Sequence, residues 1–172
     1  MHKALLAFVG ITLGGSYCLM AQAAPSEIYL VRHAEKLQAL KDPALSPCGV
    51  AQAQAMAKLV PAELSTIYHS GYQRTLQTAQ QIALTQLNAK LESYNAGDLT
   101  EIAKQIQQQT SAVLVVGHSN TTPELIQRLS QLPAPQIKEQ DYGVVYQLKQ
   151  SEQGYQLFSY SIKQPAACSE LP

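Results

Sequence analysis

Two short runs constrain this chain more than anything else in it. Glu27-Ile28-Tyr29-Leu30-Val31 and Ala112-Val113-Leu114-Val115-Val116 are nearly continuous in apolar and β-branched residues. That is the pattern of parallel strands covered on both faces, not of strands with one side in water. Each run ends abruptly in polar chemistry, the first in Arg32-His33-Ala34-Glu35-Lys36 and the second in Gly117-His118-Ser119-Asn120. In an open α/β sheet the carboxyl ends of parallel strands share one rim, and ligands bind there. The pattern therefore predicts His33 and His118 on the same rim.

The rest of the chain supplies the helices such a sheet needs. Ser46-Pro47 reads as an N-cap followed by proline at the first helical position, and the helix runs through Val50, Ala53, Met56, Ala57 and Leu59 to stop at Pro61. Leu64 to Ser70 reads as a second strand, Tyr72 to Asn88 as a helix rich in Ala, Leu and Gln, and Lys90 to Tyr94 as a short third strand. Asp98-Leu99-Thr100-Glu101 has the form of a capping box and predicts a helix to Gln109. After the second apolar run, a helix from Thr122-Pro123 carries Leu125, Ile126 and Leu129 on one face. The period then changes: Gly143 to Leu148 and Tyr155 to Ile162, joined by residues 150–154, read as a β-hairpin on the sheet edge. Strands alternating with helices predict an α/β fold, a three-layer α/β/α sandwich with a largely parallel sheet and a C-terminal edge hairpin.

Ahead of this pattern, His2 and Lys3 precede an apolar segment from Ala4 to Met20, and Ala21-Gln22-Ala23-Ala24 offers a small-x-small cleavage site. Gly14, Gly15, Ser16 and Tyr17 interrupt the segment, so it falls short of the roughly 20-residue run that spans a bilayer. It reads as a cleaved export signal over residues 1–24, leaving a single domain over 25–172, no stable membrane span, and a periplasmic or secreted location. Cys18 would leave with the signal, and Cys48 and Cys168 would remain as an even pair in an oxidising compartment. A disulfide tying the C-terminal tail to the first helix is expected. The chain has 12 basic and 12 acidic residues, a balance that argues against nucleic acid as a partner.

Arginine is scarce, only Arg32, Arg74 and Arg128, and two of the three fall in motifs. Ser70, Arg74, Thr78 and Ala79 spell Ser-x-x-x-Arg-x-x-x-Thr-Ala from the end of the second strand into the following helix. Together with Arg32-His33, Leu45-Ser46-x-x-Gly49-x-x-Gln52-Ala53 and Gly117-His118, this resembles the histidine phosphatase superfamily, with its phosphoglycerate mutase-like fold. Most similar are the short members built like the small bacterial phosphohistidine phosphatases. The resemblance implies hydrolysis of a phosphomonoester or phosphoramidate, small or surface-presented, through a phosphohistidine at His33.

The chemistry agrees with what the resemblance implies. Phosphoryl transfer asks for positioning and electrostatic stabilisation. Arg32 and Arg74 can grip the group bidentately, and His118, if protonated, adds a third donor. Backbone groups of Ser119 and Asn120 at the following helix start are further candidates for substrate oxygens. No metal or other cofactor is required, and His33, His69 and His118 lie beside guanidiniums that would repel a cation. His69 reads as a rim or structural histidine, and Arg128 as a solvated charge. The general acid stays open among Asp98, Glu35 and no dedicated group. A phospholigand-binding module without turnover and a mutase of the same family remain alternatives, and neither the physiological substrate nor the oligomeric state is legible.

Overall fold

The computed structural model describes residues 24–38 and 41–169. Of the export signal expected over 1–24, all but the last residue lies outside the described residues. The order of elements is β1 (Glu27–Arg32), α1 (Pro47–Ala57), β2 (Thr66–His69), α2 (Gln73–Ala83), β3 (Lys90–Ser93), α3 (Leu99–Gln107), β4 (Val113–Gly117), α4 (Thr121–Ser130), β5 (Val144–Ser151) and β6 (Gly154–Ser161). A single turn of 3₁₀ helix, Ala166–Cys168, follows. The strands form one sheet in the order β3-β2-β4-β1-β5-β6. β3, β2, β4 and β1 run parallel, whereas β5 and β6 are antiparallel additions beyond β1.

The two apolar runs lie at the centre of the sheet because they alone have no polar face to turn to water. Every residue of β4 is buried, as is every residue of β1 after Glu27. Their alternate side chains enter two separate cores. Tyr29, Val31, Leu114 and Val116 pack with Ala53, Met56, Ala79 and Ile82 under α1 and α2. Ile28, Leu30, Val113 and Val115 pack with Ile102, Ile106, Leu125 and Ile126 under α3 and α4. The outcome is an α/β/α sandwich whose middle layer is the mixed sheet.

The helix starts follow their sequence signals. The Ser46 hydroxyl accepts the Gly49 N–H at 3.0 Å with Pro47 at the first helical position, and the Asp98 carboxylate accepts the Glu101 N–H at 3.1 Å. Most boundaries shift by one to three residues from expectation, and two differences have an identifiable cause. α2 stops at Ala83 instead of continuing to Asn88, because the Thr85 hydroxyl takes the Ile82 carbonyl and the Leu87 N–H turns away to the Ala62 carbonyl. The edge hairpin is longer and its connection shorter than the 150–154 stretch implied: the ladder continues to Ser151 opposite Gly154, whose φ of 105° closes the turn.

Topology places the site. From β1 the chain crosses by α1 to β2, on the far side of β4; from β4 it crosses by α4 to β5, on the far side of β1. Connections leaving these two neighbouring strands on opposite faces open a crevice between their carboxyl ends. Arg32 pairs with Gly117 in the β1–β4 register, so His33 and His118 leave the sheet side by side at that crevice. Among the described residues no helix is long and apolar enough to cross a membrane.

Candidate active site

His33 is 3% exposed, and its backbone N–H donates to the Gly117 carbonyl at 2.9 Å, which locks the end of β1 to the end of β4. Its Nδ1–H donates to its neighbour's carbonyl, Ala34 O, at 2.8 Å. That bond selects the tautomer in which Nε2 carries the lone pair. Burial, opposed by the Ala34 carbonyl and reinforced by the charges of Arg32 and Arg74 and by His118, pushes the His33 pKa down to about 3. The ring is neutral, with one nitrogen fixed and the other free to use its lone pair.

The loop that carries it is held from beneath by residues of the sequence motifs. Thr78, fully buried on α2, accepts the Ala34 N–H at 3.0 Å and donates to the Arg74 carbonyl at 2.7 Å. Gln52 on α1 accepts the Glu35 N–H at 2.9 Å. Gly49 lies where a Cβ would meet the Glu35 carbonyl oxygen at 1.9 Å, so only glycine lets α1 approach this closely. The spaced Ser-x-x-Gly-x-x-Gln pattern thus marks where the helix start docks on the loop that carries His33.

Around His33 the cavity, about 430 Å³, is lined by Lys36, Tyr72, Arg74, His118, Ser119 and Glu139 among others. Arg74, on the first turn of α2, stacks over Tyr72 with 4.4 Å from Cζ to the ring centre and lies 3.6 Å from the Asp42 carboxylate. It also donates to His118 Nδ1 at 3.4 Å. A guanidinium can only donate, so Nδ1 accepts and His118 presents Nε2–H to the Ser70 hydroxyl, 2.7 Å away. Burial, then the charges of Arg74 and Arg32, lower the His118 pKa to about 4. In this state both ring nitrogens are engaged and the ring is neutral, which differs from the free third donor expected from the sequence. The physical reason is burial of the ring, reinforced by the charges of Arg74 and Arg32. The Nε atoms of both Arg32 and Arg74 are buried with no hydrogen-bond partner.

The structure brings His33, Arg74 and His118 together at the cavity, with Ser119 and Asn120 on its wall, and sets Arg32 behind Glu139, which takes its guanidinium. It does not bring Glu35 or Asp98 there. The Glu35 carboxylate accepts the Ser46 hydroxyl at 2.6 Å and faces a different cleft, beside Gln52 and Gln164. Asp98 is spent capping α3 and lines a separate hollow with Tyr94 and Glu101. The carboxylate that does line the cavity is Glu139, in the connection between α4 and β5, which sequence reasoning did not single out. It bonds Arg32 and Ser119, and Tyr142 stacks over Arg32 at 4.3 Å. No strand or helix period marks these loop positions, so no sequence signal pointed to them. His69 accepts the Gly71 N–H at 3.2 Å as a structural rim residue, and Arg128 pairs with Glu124 one helical turn away.

Away from the cavity, Cys48 on α1 and Cys168 in the 3₁₀ turn form a disulfide that returns the tail to the first helix. Gln164 of that tail accepts from Gln52 at 3.0 Å and donates to the Tyr142 carbonyl at 3.4 Å, linking α1 to the loop over Arg32.

Comparison with known proteins agrees with this geometry. The protein histidine phosphatase SixA complexed with tungstate superposes with a TM-score of 0.66 at 17% identity, over 83% of this chain and 98% of its own. A protein described as the phosphohistidine phosphatase SixA of Agrobacterium tumefaciens gives 0.62 at 20%, over 80% and 98%. A phosphoglycerate mutase from Plasmodium falciparum gives 0.54 at 20%, over 85% and 93%. These likenesses establish the phosphoglycerate mutase-like fold. No curated protein sequence matches the chain. The sequence model of the histidine phosphatase superfamily (branch 1) matches residues 28–109, the stretch that holds Arg32-His33, the α1 docking motif and Arg74, and over that stretch the chain is similar to that superfamily.

Proposed function

We propose that the protein is an exported phosphatase that hydrolyses a phosphomonoester or phosphoramidate through a phosphohistidine at His33. One observation carries the reading: a buried, neutral His33 whose Nδ1–H is fixed on the Ala34 carbonyl, leaving Nε2 free beside two arginines. Arg74 lines the cavity and its Nε has no partner, which suits an oxygen of a phosphoryl group; the Nε of Arg32 is likewise unpartnered, behind Glu139. In the first step Nε2 forms a bond to phosphorus as the bond to the leaving oxygen or nitrogen breaks; Nδ1 keeps its proton, donated to the Ala34 carbonyl, and the leaving group takes a proton from water. Water then cleaves the P–N bond and releases phosphate. A phosphoryl dianion beside His118 favours its imidazolium, which restores the third donor once substrate is bound.

Export is supported by the signal-like N-terminus and by the Cys48–Cys168 pair, which suits an oxidising compartment. The phosphatase reading is tested with labelled aryl phosphate and rapid acid-free quenching. We expect label on His33, lost on acid treatment, and no hydrolysis by His33→Ala; turnover retained in that variant would refute the mechanism.

A further inference from the structure

Arg32 is sealed off from the cavity it is expected to serve. It is 3% exposed and does not line the cavity wall. One terminal nitrogen donates to the Lys138 and Asp141 carbonyls at 2.7 and 3.2 Å, and the Tyr142 ring covers its face. The other donates to the Glu139 carboxylate at 2.9 Å. Glu139, whose second oxygen accepts the Ser119 hydroxyl, stands between Arg32 and the cavity.

Resting on the phosphoryl-binding reading above, we propose that Glu139 is an internal competitor that occupies Arg32 until a phosphoryl dianion displaces it, then retakes Arg32 to discharge product phosphate. A buried guanidinium without a counter-charge is costly, and Glu139 relieves that cost in the unliganded protein. Its own side chain is 78% exposed, so it can swing into water with little loss of contacts. A dianion with tetrahedral oxygens interacts more strongly with the Arg32 and Arg74 pair than a single carboxylate does. Exchange therefore runs forward when substrate enters. After P–N cleavage, the return of Glu139 weakens the hold on phosphate, which two arginines in a buried site would otherwise retain. Because the same displacement precedes the binding of substrate and of product, both affinities are lowered by one common factor, the fraction of molecules in which Arg32 is free.

The test is calorimetric titration of inorganic phosphate at fixed ionic strength into the wild-type protein, Glu139→Gln and Glu139→Asp, with KM for an aryl phosphate measured on the same samples. Glu139→Gln should bind phosphate about three- to tenfold more tightly, and its KM should fall by the same factor. Glu139→Asp should follow it, because the shorter chain keeps the charge but cannot span Arg32 and Ser119. Phosphate affinity unchanged or weakened in Glu139→Gln overturns the proposal. So does tightening in Glu139→Gln with Glu139→Asp still at the wild-type value, which would mean a diffuse field effect and no displacement. If wild-type protein hydrolyses the ester while the variants bind phosphate no differently, this proposal alone fails; if wild-type protein neither binds phosphate nor hydrolyses the ester, the phosphatase reading falls with it.

Discussion

His33 and His118 meet edge to face, ring centroids 5.5 Å apart and planes inclined by 68°, because Arg32 and Gly117 are partners in one parallel ladder. Two imidazoles and two guanidiniums share this rim, and the imidazoles yield their protons.

That arrangement makes stability depend on pH. Each ring binds a proton less readily in the folded chain than in the unfolded one, where histidine titrates near 6.5. The unfolded state then holds more protons at acid pH, so the contribution of these rings is complete above about pH 6.5 and is lost as pH falls toward about 4 for His118 and about 3 for His33. Denaturant unfolding at a series of pH values should show this decline, and His118→Gln should flatten part of it. An unchanged slope in the variant would contradict the assignment.

Thr78→Val keeps shape and volume but strips the hydroxyl that accepts the Ala34 N–H under the nucleophile. A buried donor left unpaired costs about 1–3 kcal/mol. We expect a loss of stability in that range by urea unfolding, together with a fall in kcat, since the carbonyl that orients His33 belongs to the same residue whose N–H is released. Wild-type kcat in the folded variant would separate the two roles.

For Asp98 the structure leads us to expect a stability effect without a catalytic one. Asp98→Ala removes an N-cap and should cost about 1 kcal/mol. Hydrolysis of aryl phosphates of graded leaving-group pKa should keep its wild-type dependence, and a steeper dependence would return Asp98 to the role of acid.

The disulfide closes a loop with a sequence separation of 120 residues. Its removal by Cys168→Ser should lower stability by about 2–5 kcal/mol. Release of the tail also loosens the Gln52–Gln164–Tyr142 chain, so thermal unfolding with and without reductant should be accompanied by comparison of KM. A KM unaffected by reduction would show that the loop over Arg32 stands without the tail.

The sandwich was legible in the chain because its evidence is local. Runs such as Val113 to Val116 have one solution, the centre of a covered sheet, and Ser46-Pro47 and Asp98-x-x-Glu101 state their helix starts within four residues. Arg32, His33, Arg74 and His118 were equally legible, since strand ends and a helix start fix their places and parallel topology gathers such ends on one rim. The placement of Glu35, Glu139 and Tyr142 was decided only by tertiary structure. These residues lie in loops, where a carboxylate takes whichever donor the fold brings near: Ser46 for Glu35 and the buried guanidinium of Arg32 for Glu139. Periodicity carries information about which face a residue turns to the core, and none about which partner a loop side chain will meet across the fold.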